Sequence, residues 1–78
     1  MAEGKLKFRY DRVGDTLYIN KCLPYPEQES DEVGEEITAR LNPMSGEIEN
    51  LEALFFSKRL MSDESIELPF EVDMRLVS

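Results

Sequence analysis

Apolar and polar residues alternate at period two along four stretches of this chain. Leu6, Phe8 and Tyr10 interleave with Lys5, Lys7 and Arg9. At this spacing one set of side chains falls on each face of a β-strand. Arg12, Val13, Gly14 and Asp15 read as a turn, with Gly14 free to supply a positive φ. Leu17 and Ile19 then return to the inward face, with Thr16, Tyr18 and Asn20 outward, which closes a first hairpin. Leu23, Pro24, Tyr25 and Pro26 cannot extend the ladder, because each proline lacks an amide donor. They are expected to run extended to the edge of the sheet.

A second hairpin starts at Ile37, Ala39 and Leu41. Its loop is Asn42, Pro43, Met44, Ser45 and Gly46, with proline presetting the turn and Gly46 in the left-handed position. Ile48 resumes the apolar face, but the next inward positions are Leu51, Ala53 and Phe55, so the parity shifts by one. A bulge at Glu49 and Asn50 absorbs the extra residue. The spacing of Ile48, Leu51 and Phe55 also fits a helix, and the strand is preferred because a hairpin turn precedes it. Leu54, Phe55 and Phe56 form a continuous apolar run, which implies cover on both faces. Residues 57–65 hold room for one short helix or turn. Ile66, Leu68, Phe70, Val72, Met74 and Leu76 alternate without error, which predicts a final strand. Pro69 places that strand at an edge.

These elements predict a mainly β (β-rich α+β) single domain over residues 1–78. It is an antiparallel sheet of hairpins with four to five strands and at most one short helix. The expected core is Phe8, Leu17, Ile19, Ile37, Leu41, Leu51, Phe70 and Val72. A one-layer sheet must bury its apolar face against something. The sheet either curls on itself or stacks on a second copy. A homodimer is the expectation, since a long edge strand is also a template for pairing.

Composition narrows the function classes. The chain has 78 residues, no histidine, one cysteine and a net charge of -8. A chain of this size buries only roughly 60% of its unfolded surface. Cys22 has no partner thiol, so a disulfide framework is excluded, and the lone cysteine reads as a small hydrophobe in a strand. Residues 1–4 are short and polar with no apolar run behind them, so no signal peptide is expected. No stretch reaches the ~20 apolar residues of a membrane helix. The expected location is cytoplasmic, with no membrane partner.

The charge is uneven. Residues 1–26 hold five basic and three acidic side chains, and residues 27–52 hold nine acids and one base, Arg40. Such a field repels phosphate, which argues against direct nucleic-acid binding. Residues 27–36 contain six acids and read as an acidic loop. Glu27, Glu29, Asp31 and Glu32 do not match the ligand spacing of a calcium loop. Glu27, Glu29, Asp31, Glu32, Glu35 and Glu36 are therefore candidates for docking a basic protein rather than a metal. No cofactor is implied. Without histidine, catalysis would need paired carboxylates, a lysine or the thiol, and no recognisable constellation of these is present. The chain is read as not an enzyme.

Phe8-Arg9-Tyr10-Asp11, the Gly14-Asp15 turn and Asp15-Thr16-Leu17-Tyr18-Ile19 resemble the opening of a small prokaryotic family catalogued as domain of unknown function 2283. Gly46-Glu47-Ile48 through Ser57-Lys58-Arg59-Leu60 is similar to its second block, so the resemblance covers residues 7–60. Phe55-Phe56 departs from the family pattern, and residues 66–76 extend beyond its usual length. The family carries no established activity. Some of its members are encoded beside small ribonuclease-like toxins, and the resemblance therefore implies an antitoxin-like role and a basic, toxin-like protein partner.

Two further readings stand beside the interaction module. One is a small enzyme or ligand-binding domain built on Asp11, Asp15, Tyr10 and Tyr18 around the first turn, where two close carboxylates would raise one pKa or bind a cation. The commoner role of such residues is to close the turn by bonding to its backbone. The other is a homo-oligomeric accessory protein.

Overall fold

The period-two alternation becomes one antiparallel sheet. The computed structural model describes residues 5–62, 67–68 and 70–77. In chain order these form β1 (Lys7–Asp11), β2 (Thr16–Asn20), β3 (Glu29–Gly34), β4 (Ile37–Leu41), β5 (Ile48–Leu54) and the helix α1 (Phe56–Met61). The order across the sheet is β1-β2-β5-β4-β3, with every neighbouring pair antiparallel. The architecture is mainly β with one short helix, as the pattern predicts.

Register sorts the side chains. Phe8 pairs with Ile19 and Tyr10 with Leu17. Leu17 pairs with Ala53, and Ile19 with Leu51. Ile37 also meets Ala53, and Ala39 meets Leu51. These residues share one face. Arg9, Tyr18, Glu52, Thr38 and Arg40 share the other. β5 carries the bulge that its parity shift requires. Arg40 pairs with Asn50 while Leu41 pairs with Ile48, so Glu49 is the extra residue. Ile48 and Leu51 thereby reach the same face, and the helical alternative for this stretch does not form.

The turns obey the sequence with one exception. Gly46 has φ 76°, and its N–H donates to the Asn42 carbonyl at 2.8 Å. In the first turn, however, Asp15 and not Gly14 adopts the left-handed conformation, with φ 51°. Gly14 is needed for space instead. A Cβ there would sit 3.1 Å from the Asp11 carboxylate.

Four expectations are corrected. Residues 27–36 are not a loop throughout, since Glu29–Gly34 forms the edge strand β3 against β4. An edge strand with both faces wet has no reason to alternate, and charge on an edge discourages wrong pairing. Residues 67–68 and 70–77 form no strand, and Ile66 and Pro69 lie outside the described residues. Leu68 and Phe70 instead line a groove with Phe8, Ile19 and Leu51. The run at residues 54–56 is not covered on both faces, because Leu54 and Phe55 are exposed where the strand ends and α1 begins. Cys22 lies just after β2, not in a strand.

The core is smaller than expected. Ile37, Ala39 and Ala53 are its buried apolar residues, beside buried Thr16 and Asn50. Leu17, Ile19, Leu41, Leu51 and Phe70 are half-buried. Phe8 is 63% exposed and Val72 76%, so neither belongs to the core. The reason is geometric: β1 is an edge strand, and Val72 lies in a segment with no ladder to hold it.

Truncation should therefore be costly at the centre and cheap outside it. Ile37→Ala should lower stability by about 2–5 kcal/mol. Leu23→Ala, at an 85% exposed side chain, should stay within about 0.5 kcal/mol. Urea midpoints followed by circular dichroism measure both, and equal midpoints would place the core elsewhere.

Candidate functional site

The acidic residues singled out by the sequence converge on one edge of the sheet. Glu27 precedes β3, Glu29, Asp31 and Glu32 lie within it, and Glu35 and Glu36 form the turn into β4. All six are exposed. Glu29 and Asp31 oppose Leu41 and Ala39, on the apolar-face parity, whereas Glu32 opposes Thr38 on the polar side. Carboxylates therefore flank the open backbone of β3 on both sides. Among the described residues, the ion pair involving these six joins Glu36 to Arg59 at 4.0 Å. Arg59 also donates to the Glu35 carbonyl. Arg40, on the adjacent strand β4, donates to Glu52 through Nε at 2.9 Å and Nη2 at 2.5 Å, and to the Ser30 hydroxyl of β3 at 3.2 Å. No group of three or more potential metal-ligating side chains occurs among the described residues.

The residues of the alternative site near the first turn separate. Asp11 accepts from the Val13 N–H at 3.1 Å and closes the turn. Asp15 accepts from the Tyr10 hydroxyl at 2.5 Å, the Ser57 N–H at 2.9 Å and the Ser57 hydroxyl at 2.8 Å. Its carbonyl accepts the Phe56 N–H at 2.9 Å. Asp15 thus caps α1 from the opposite hairpin and satisfies two of the helix's free amides. The Tyr10 hydrogen bond, then the Ser57 amide, hold the Asp15 carboxyl below its ordinary value. The same bond pushes the Tyr10 hydroxyl up. Tyr18 lies on the other face, with the Arg9 guanidinium 4.4 Å from its ring centroid. Tyr10, Tyr18 and a carboxylate do not line a common pocket.

A polar network missed by the sequence reading forms around the bulge. Glu49 accepts from the Tyr25 hydroxyl at 2.6 Å, from Gln28 at 3.0 Å and from Asn42 at 3.2 Å. Buried Asn50 donates to Asn20 and to the Cys22 carbonyl and accepts from Gln28. These bonds strap residues 21–28 across the end of the sheet and deliver the chain to β3. Tyr25 and Gln28 hold the Glu49 carboxyl low, and Glu49 in turn pushes the Tyr25 hydroxyl up to about 12. Desolvation, then Glu49, raise the Cys22 thiol, which keeps it protonated and weakly nucleophilic. The signal available in the sequence was Asn50 itself, a polar residue beside a parity break.

A family model described as "Protein of unknown function (DUF2283)" matches residues 7–57. No curated protein and no solved structure matches the chain. The match spans all five strands and ends at Ser57, the residue Asp15 caps.

Both lowered carboxyls should make stability pH-dependent in one direction. A carboxyl with a folded pKa below its unfolded value stabilises the fold above the unfolded pKa. That contribution is lost as pH falls through the folded one. Asp15→Asn and Glu49→Gln should each be less stable than the parent at neutral pH. The deficit should shrink below about pH 4, the ordinary carboxyl range. Thermal melts across pH would show this, and a deficit constant with pH would contradict it.

Proposed function

The chain belongs to the DUF2283 family, and from that membership we propose that it is a protein-interaction module, antitoxin-like in role, whose contact surface is the acidic edge of the sheet. It acts by binding rather than by catalysis. The observation supporting this is the density of free carboxylate on β3 and its flanking turns, with Arg59 as its nearest ion-pair partner. A row of unpaired amides and carbonyls on an edge strand accepts a further strand, and flanking charges choose which one. A strand rich in lysine or arginine, as on a basic ribonuclease-like toxin, has the matching charge. Exposed charges of this kind act chiefly on the rate of encounter and on rejection of wrong partners. No helix among the described residues is long and apolar enough to cross a membrane. The proposed setting is a reducing cytoplasm, in keeping with a lone protonated thiol.

Replacing Glu27, Glu29 and Glu32 by Gln and Asp31 by Asn tests the reading. Thermal stability should stay nearly unchanged, or rise slightly as self-repulsion is relieved. Association with a peptide of alternating lysine and valine, followed by stopped flow, should slow several-fold at low salt. The difference should vanish near ~1 M salt, where the screening length is ~3 Å. Equal rates at low salt would overturn the proposal.

A further inference from the structure

We propose that residues 70–75 pair with the open edge of β1 as a parallel strand of the same chain, so that the C-terminal segment closes the basic edge of the sheet. The inference goes beyond the docking of a basic partner and concerns the edge opposite β3.

The two edges of the sheet are not alike. β3 carries Glu29, Asp31 and Glu32 and a register shift between Glu32 and Gly34. Both features discourage pairing with an unselected strand. β1 is the other outermost strand, and it pairs with β2 in unbroken register. It contains neither proline nor glycine. Phe8 and Tyr10 are exposed on it, as is Leu6 just before it. An edge of this kind is a template for one more strand, and its charges select which strand fits.

The C-terminal segment complements that edge at every position. Laid in parallel, residues 6–11 meet residues 70–75 one for one. Lys7 falls opposite Glu71, Arg9 opposite Asp73 and Asp11 opposite Arg75, all on the polar face. Leu6 falls opposite Phe70, Phe8 opposite Val72 and Tyr10 opposite Met74, all on the apolar face. Cross-strand pairs of opposite charge, and of aromatic with aliphatic side chains, stabilise a ladder. The same overlap run antiparallel sets Lys7 against Arg75 and Asp11 against Glu71. A parallel slip of two residues sets Arg9 against Arg75 or Asp11 against Asp73.

The structure holds the two segments within reach of each other. Phe70, Val72 and Met74 wall the same groove as Leu6 and Phe8. There the segment engages no ladder, and its bonds are local. The Phe70 N–H donates to the Leu68 carbonyl at 2.8 Å. Asp73 and Arg75 pair with each other at 2.7 Å, both largely exposed. Docking on β1 exchanges that local contact for cross-strand pairs and covers Phe8, Val72 and Met74, which are exposed in the undocked arrangement. Parallel pairing needs a crossover of a dozen or more residues, and residues 55–69, which include α1, intervene between β5 and the segment. Once β1 is closed, β3 is the edge left open to a partner.

Hydrogen exchange of the full chain, read residue by residue by NMR at low salt, tests the pairing. Alternate amides of residues 70–75 should be protected, the mark of an edge strand bonded on one side. Free exchange at all six would overturn the proposal. Lys7→Glu should lower that protection several-fold by setting like charges opposite each other. Lys7→Glu with Glu71→Lys keeps the net charge and should restore it. Protection that does not return would overturn the register. A crosslink gives a second measure. In a Cys22→Ser background, Arg9→Cys with Asp73→Cys should form a disulfide within one chain, since adjacent strands bring paired residues into bridging range. Arg9 lies on the polar face, so residue 73 reaches it through the ladder and not from the groove. Arg9→Cys with Arg75→Cys, out of register, should bridge far less. No bridge at Arg9 and Asp73, or a bridge between two chains, would overturn pairing within the chain. None of these variants alters β3, so this pairing and the docking of a basic partner fail separately.

Discussion

The fold depends on one extra residue in its central strand. β5 is the strand that joins the two hairpins, pairing with β2 on one side and β4 on the other. Because side chains alternate at period two, a slip of one residue in β5 would turn Leu51 and Ala53 away from the apolar face. Ile48 and Leu51 are three apart and cannot share a face in a regular strand. The bulge at Glu49 reconciles them. It also leaves Glu49 without a regular partner in the ladder, and the carboxylate there gathers Tyr25, Gln28 and Asn42. One insertion therefore aligns the apolar face and anchors the segment that carries the chain over to β3.

The far end of the sheet is secured by a matching device. Asp15 occupies a left-handed conformation that an aspartate tolerates better than most residues. In that position its carboxylate meets Tyr10 and the first turn of α1. Two acidic residues thus join segments distant in sequence, Glu49 at one end of the sheet and Asp15 at the other. Each carboxylate accepts three hydrogen bonds, so a chain of net charge -8 holds acids at its joints as well as on its surface. The first turn holds structure rather than a pair of free carboxylates.

Much of this was legible in the sequence, and the failures have specific causes. The parity break between Ile48 and Leu51 predicted the bulge, and the alternation around Phe8, Leu17 and Ile37 predicted three strands. β3 was missed because hydrophobic periodicity reports burial, and an edge strand wet on both faces has none to report. Residues 66–76 erred in the opposite sense. Alternation from Ile66 to Leu76 shows that a segment is suited to pairing, but pairing also needs an open ladder, and among residues 67–68 and 70–77 none is engaged. Phe8 was assigned to the core from parity alone, whereas burial also depends on position across the sheet. The acidic residues were legible as a cluster. Their arrangement along one backbone edge was not, because it follows from the pairing of β3 with β4.

The division of charge across the sheet follows from the same topology. The basic first third of the sequence becomes one edge, and the acidic middle third becomes the other, because β5 inserts between the two hairpins. Had the strands followed chain order, β3 would have lain beside β2 and closer to Lys7 and Arg9 of β1. Separation by three intervening strands, at ~4.8 Å per spacing, holds the two charge groups almost 20 Å apart. That is about two screening lengths at physiological salt. Each edge then acts as an independent field toward whatever approaches it. Neither edge neutralises the other within the chain.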